Sequence, residues 1–115
     1  MKQVLLDTSF IISSVRNKID FFEELMEYKI IIPKQVLVEL EGISKSKTEA
    51  RIALKILEKN KFSKINLDSK NTDKAIILYA EKNPRMIIAT LDKEIKSSIK
   101  NMKLVIRGKK KLAFV

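Results

Sequence analysis

Short apolar runs alternate with amphipathic stretches from one end of this chain to the other, and that alternation restricts its fold more than any other feature. Residues 3–6 (Gln-Val-Leu-Leu), 29–32 (Lys-Ile-Ile-Ile) and 86–89 (Met-Ile-Ile-Ala) are almost continuously apolar, as strands covered on both faces are. Residues 62–67 and 103–106 are more mixed and read as outer strands. Between these runs the spacing predicts helices over 8–14, 19–28, 34–43, 48–60, 72–82 and 92–100. In the fourth helix Ile52, Leu54, Ile56 and Leu57 are expected to face inward. Pro33 ends a strand and suits a helix start, Asn83-Pro84 stops the fifth helix, and residues 112–115 offer a last short strand after a basic turn around Gly108. Strand–helix alternation of this kind marks an α/β chain with a doubly wound parallel sheet and helices on both faces. A length of 115 residues, 45% of them hydrophobic, suits one domain over residues 1–115 with a real core. No window is apolar for the length of a membrane span. The apolar start is broken by Asp7, so it reads as strand and helix rather than a signal peptide, and a cytoplasmic protein is expected.

The chain has no His and no Cys. That removes thiol chemistry, a disulfide framework, the usual zinc sites and any Ser or Thr nucleophile that needs an imidazole base. There is no Gly-rich phosphate loop. Asp7-Thr8-Ser9 lacks the second Asp of aspartyl-phosphate phosphatases, and a receiver domain would need an acidic pair at that place. Four carboxylates remain: Asp7 and Asp92 after strands expected at the sheet centre, Asp73 at a helix start, and Glu39 beside an apolar helical stripe. Each alone is explained as a helix cap or a solvated residue. Together, Asp7 and Asp92 fall where the strand order would reverse, the crevice in which open α/β sheets bind ligands. Asp73 shares a helix face with Ile76, Ile77 and Ala80, and an inward carboxylate needs a partner. Clustered carboxylates call for a hard cation, Mg²⁺ or Mn²⁺. Helical geometry does not choose between Glu39 and Glu41, and Glu94 lies two residues beyond Asp92. The hydroxyls of Thr8, Ser9 and Thr90 serve either as helix caps or as groups that orient a ligand carboxylate.

The net charge is +10 and uneven: residues 93–115 carry eight Lys or Arg against Glu94 alone, a net of +7. A thermophile-like surface would explain abundant Lys but would bring matching Glu. A basic end points to a polyanion, most simply nucleic acid. Lys93, Lys96, Lys100, Lys103, Arg107, Lys109, Lys110 and Lys111 are the expected contacts to an RNA backbone. Five Phe, two Tyr and no Trp leave few platforms for stacking bases, so a structured RNA is expected rather than a single strand.

Leu6-Asp7-Thr8-Ser9, the run from Pro33 to Leu40, Thr72-Asp73-Lys74-Ala75-Ile76 and Ile88-Ala89-Thr90-Leu91-Asp92 occur in that order over nearly the whole chain, and together they resemble the PIN-domain nucleases. Residues 89–96, the basic stretch with Val105-Ile106-Arg107, and the Val-Glu-Leu-Glu run at 38–41 look most like the rRNA-processing branch of the small-subunit processome and its archaeal relatives. PIN toxins of toxin–antitoxin pairs look next most similar. The resemblance implies a parallel sheet of about five strands in the order 3-2-1-4-5. It also implies a site of Asp7, Glu39 (rather than Glu41), Asp73 and Asp92, with Glu94 accessory, holding Mg²⁺ or Mn²⁺ and no organic cofactor. The implied activity is endoribonuclease action on structured RNA, with rRNA as the implied target, by a chain whose relatives often form homodimers. One departure is Lys74, where processome-branch relatives often carry a second Asp; it is the one sequence feature favouring a non-catalytic RNA-binding assembly factor.

Overall fold

The computed structural model describes residues 1–115. Its elements run β1 (Gln3–Leu6), α1 (Thr8–Arg16), α2 (Phe21–Glu24), β2 (Lys29–Pro33), α3 (Lys34–Ser44), α4 (Thr48–Glu58), β3 (Ser63–Ile65), α5 (Thr72–Lys82), β4 (Ile87–Ala89), α6 (Lys93–Ser98), β5 (Lys103–Arg107) and β6 (Lys111–Phe114). The sheet has the order β3-β2-β1-β4-β5-β6. Its first five strands are parallel, and β6 returns antiparallel to β5. The last short strand offered by residues 112–115 forms as β6, one residue earlier, so the sheet has six strands and β5 is not an edge. The order reverses between β1 and β4, which places the switch point at their carboxyl ends.

Alternation along the central strands splits the core in two. Val4, Leu6, Ile30, Ile32, Ile87, Ala89 and Leu104 face the α1, α3 and α4 side, where Phe10 and Phe21 meet edge to face at 6.2 Å. Such a ring pair adds about 0.5–1.5 kcal/mol beyond its buried area. Leu5, Ile31 and Ile88 face Ile76, Ala80, Ile95 and Ile99 of α5, α6 and the turn after α6. Helices thus cover both faces.

Local boundaries differ from the sequence reading in three places. The helix expected over 19–28 is a single turn, because Phe21 and Leu25 are buried while Met26 is 71% exposed; one buried turn gives nothing to hold a longer helix in place. In α4 the inward residues are Ala50, Ala53 and Leu57, and Ile52 is 44% exposed. Two alanines let α4 lie close against the core, which rotates the large side chain at position 52 outward. The third strand shrinks from 62–67 to Ser63–Ile65 because Gln35 captures the next stretch: its side-chain amide bonds both the N–H and the C=O of Leu67. This ties the start of α3 to the loop that leads into α5.

Candidate active site

Register decides what meets at the carboxyl edge of the sheet. Leu6 is paired with Ala89, and the Asp7 N–H donates to the Ala89 carbonyl at 2.9 Å, so Asp7 and Thr90 lie opposite each other just past the strands. Asp7 is the N-cap of α1, with its Oδ1 accepting the Thr8 N–H at 2.8 Å. Its Oδ2 accepts the Thr90 hydroxyl at 2.7 Å and the Ser9 hydroxyl at 3.0 Å. The same hydroxyl oxygens accept the next backbone donors: Thr90 Oγ1 takes the Asp92 N–H at 3.1 Å and Ser9 Oγ takes the Leu91 N–H at 3.0 Å. Asp92 then caps α6 through the Ile95 N–H at 3.0 Å. The hydroxyls of Ser9 and Thr90 are therefore not solvent-facing caps. They bind the Asp7 carboxylate to the loop that carries Asp92.

Asp73 is arranged differently. The cap of α5 is Asn71, which accepts the Lys74 N–H at 3.0 Å. Asp73 in the first turn is left with no hydrogen bond to the protein. Partial burial pushes its carboxyl above the usual range, and repulsion from Asp92, Asp7, Glu39 and Glu94 pushes it in the same direction. Asp73 thus feels all four other acids. Burial also raises the Asp7 carboxyl; its three hydrogen bonds oppose this, and Asp92 adds to it.

Asp7, Glu39, Asp73 and Asp92 line one open cavity of about 400 Å³. Glu39 extends from α3 and accepts the Thr8 hydroxyl at 2.6 Å, while Glu41 does not line the cavity. One oxygen each of Asp73, Asp92 and Glu94 lies within 4.8 Å of the others. Three carboxylate oxygens at that separation fit a hard cation that takes oxygen ligands at about 2.0–2.6 Å. Lys74 is exposed and does not line the cavity.

Ser13 and Arg16 also line the cavity, and neither was anticipated from sequence. The signal was present, since Ser9, Ser13 and Arg16 recur at helical spacing behind the Asp7 cap. Arg16 bonds Glu49 on α4 at 3.4 Å through its Nε and brings a cation to an otherwise acidic pocket.

The expected basic contacts fall on two sides of the molecule. Lys93 and Lys96 lie on α6, which starts at Asp92. Ala89 is paired with Leu104, so Arg107 lies about 10 Å beyond that level. Arg107, Lys109, Lys110 and Lys111 thus form a hairpin tip on the site's edge, where Gly108 takes a left-handed φ of 60° that glycine reaches without strain. Lys103 is paired with Ile88, level with the middle of β4, and Lys100, three residues before it, lies toward the opposite, amino edge.

The PIN-like domain family profile matches residues 4–110. Ribonuclease VapC4 of Methanocaldococcus jannaschii is 28% identical, over 96% of this chain and 94% of that protein. The rRNA-processing protein fcf1 of Schizosaccharomyces pombe is 34% identical over 86% of this chain. The chain spans about half the length of this relative, 54%, and the human FCF1 homolog is matched over a similar share, 52%. Among solved structures, that of the PIN domain endonuclease Utp24 superposes with a TM-score of 0.81 at 29% identity, over 97% of this chain and 90% of that one. With its strand order, its acidic carboxyl edge and this match over nearly its whole length, the chain belongs to the PIN-like domain family.

Proposed function

We propose that this protein is a divalent-metal-dependent endoribonuclease that acts on structured RNA, with rRNA processing as its setting. One observation carries the reading: Asp73, partly buried and without a hydrogen bond, is surrounded by four other acids at the switch point. A carboxylate in that position destabilises the fold unless a cation joins it. Asp73, Asp92 and Glu94 would hold the ion, with Asp7 and Glu39 bordering it. Mg²⁺ or Mn²⁺ supplies Lewis acidity toward a phosphodiester and lowers the pKa of water. The chain's own residues set the geometry. Ser9 and Thr90 hold Asp7 and the Asp92 loop as one unit, and Thr8 fixes Glu39. Arg16 meets a phosphate, and Lys93, Lys96, Arg107 and Lys109 to Lys111 hold the flanking backbone.

Similarity to the rRNA-processing protein fcf1 supports the rRNA setting, similarity to the PIN domain endonuclease Utp24 supports endonucleolytic cutting, and the basic hairpin supports a polyanionic substrate. A second reading, a ribonuclease of the VapC4 kind, is supported by the match to VapC4 over 96% of this chain and 94% of that protein.

The test is cleavage of a hairpin RNA in Mn²⁺, in Mg²⁺ and in EDTA. The wild type cuts only with metal. Asp92→Asn keeps an acceptor for the α6 cap and so folds, but cuts more than about a hundredfold more slowly, exceeding the usual loss from groups that merely support a metal ligand. Metal-independent cutting, or full activity in the variant, contradicts the assignment.

A further inference from the structure

The amino edge of the sheet holds a second, larger cavity of about 890 Å³, formed by the start of β1, the turn between α5 and β4, and the loop before β5. Lys2, Lys82 and Arg85 line it, with no carboxylate among the lining residues; Glu81, on the neighbouring turn of α5, stays outside. The walls are fixed. Asn101 is 5% exposed, and its Nδ2 donates to the carbonyls of Asn83 and Met86, both at 2.9 Å. One buried amide thus ties the Asn83–Met86 turn to the loop before β5, and three cations are presented on a frame that does not have to form on binding.

A basic track joins this cleft to the acidic site. Strand alternation places Lys103 and Arg107 on one face of β5, and Lys111 is paired directly with Arg107. Like charges directly opposed across two strands are unfavourable unless an anion joins them. Lys103 and Arg107 are four residues apart, so this part of the track runs about 13 Å along β5, from the level of Ile88 in mid-sheet to the hairpin tip beyond the carboxyl edge. Lys100 and Met102 then lead to the cleft.

We propose that the cleft formed by Lys2, Lys82 and Arg85 is a second RNA-backbone site, and that a structured RNA reaches it along β5 while its scissile segment lies at the opposite edge. This rests on the RNA reading above. A short oligonucleotide occupies only the acidic edge; a longer folded RNA engages both.

The test measures binding of a 30-nucleotide hairpin and an 8-nucleotide strand, by fluorescence anisotropy in EDTA over a salt series, to wild type and to Lys2→Gln/Lys82→Gln/Arg85→Gln. The expected result is a loss of at least about tenfold in hairpin affinity at 0.1 M salt, with the log–log salt slope smaller by roughly two to three. Binding and metal-dependent cutting of the 8-mer stay unchanged. Lys55→Gln/Lys59→Gln/Lys61→Gln, at exposed positions on and just after α4, removes the same number of charges and keeps the wild-type slope. Unchanged hairpin affinity and slope in the cleft variant overturn the proposal and turn the cleft over to a protein partner; an equal loss in the α4 control also overturns it. A wild type that cuts nothing, while hairpin binding still depends on the cleft, refutes the nuclease and keeps the cleft. Cutting with hairpin binding indifferent to the cleft does the reverse.

Discussion

The two edges of one sheet differ in charge and in what holds them. At the carboxyl edge, the ends of β1 and β4 and the starts of α5 and α6 bring acids together, and Asp73 has no partner within the protein. At the amino edge, three cations surround a cleft with no acid in its lining, and the buried polar group there, Asn101, is satisfied by two carbonyls. Only a few apolar residues of each strand separate them. The carboxyl edge gives up stability for a site that a cation completes, and the amino edge is already complete. A net charge of +10 is therefore not a uniform coat. It is a positive molecule with one negative pocket, an arrangement that draws in a polyanion and leaves a cation between it and the acids.

Three changes separate the edges, in falling order of effect. Thr90→Val removes the hydroxyl that donates to Asp7 and receives the Asp92 N–H. Cleavage is expected to slow about ten- to hundredfold, while hairpin binding to the amino edge is unaffected; wild-type rates would show that the hydroxyl does not organise the site. Asn101→Ala leaves the Asn83 and Met86 carbonyls without their donor, at a cost of about 2–3 kcal/mol, read by urea denaturation. A loss below about 0.5 kcal/mol would mean that water replaces the amide and the cleft is not preformed.

Asp73→Asn has the opposite sign. In EDTA it raises the melting temperature by roughly 2–5 °C, because a repelled carboxylate is gone, and it abolishes the stabilisation by Mn²⁺. Its pH dependence follows from linkage. The carboxyl titrates above the usual range in the folded state, so between the two values the folded protein binds more protons than the unfolded chain. Wild-type stability then falls as pH rises through that window, and the gain from Asp73→Asn grows with pH until both carboxyls are ionised. Melting both proteins in EDTA from about pH 4 to about pH 7 checks this. A gain that shrinks with rising pH would show that Asp73 is not repelled.

Strand identity and parallel order were legible because β1, β2 and β4 are apolar on both faces and the spacing of the intervening helices is regular. Asp7 and Asp92 were legible as acids after central strands and Asp73 as an inward acid at a helix start, while Glu39 was chosen over Glu41 by the resemblance to PIN-domain nucleases. That Thr8, Ser9 and Thr90 orient carboxylates was one of two roles read from sequence, but which hydroxyl meets which acid was not legible, because it depends on the pairing of Leu6 with Ala89, which brings Thr90 to Asp7 across 83 residues of sequence. Nor was the division of the basic segment: Lys100 is a neighbour of Lys96 in sequence, but the chain doubles back through α6 and places it toward the far edge, with Lys103 level with the middle of β4. Lys2 comes from the start of the chain and Lys82 and Arg85 from the end of α5 and the turn before β4, and no local pattern links them. Ile52 was misplaced because periodicity favours large apolar residues, whereas packing selected the small Ala50 and Ala53.

Adding Mn²⁺ to ¹⁵N-labelled protein, and reading which backbone amide signals its paramagnetism broadens, tests the central claim most directly. Selective broadening around Asp7, Glu39, Asp73, Asp92 and Glu94, with the amides of Lys2, Arg85 and Asn101 left sharp, is the predicted result. Loss of that pattern in Asp73→Asn ties it to the acid cluster. Uniform weak broadening, or broadening unchanged by Asp73→Asn, would contradict a built cation site at the carboxyl edge.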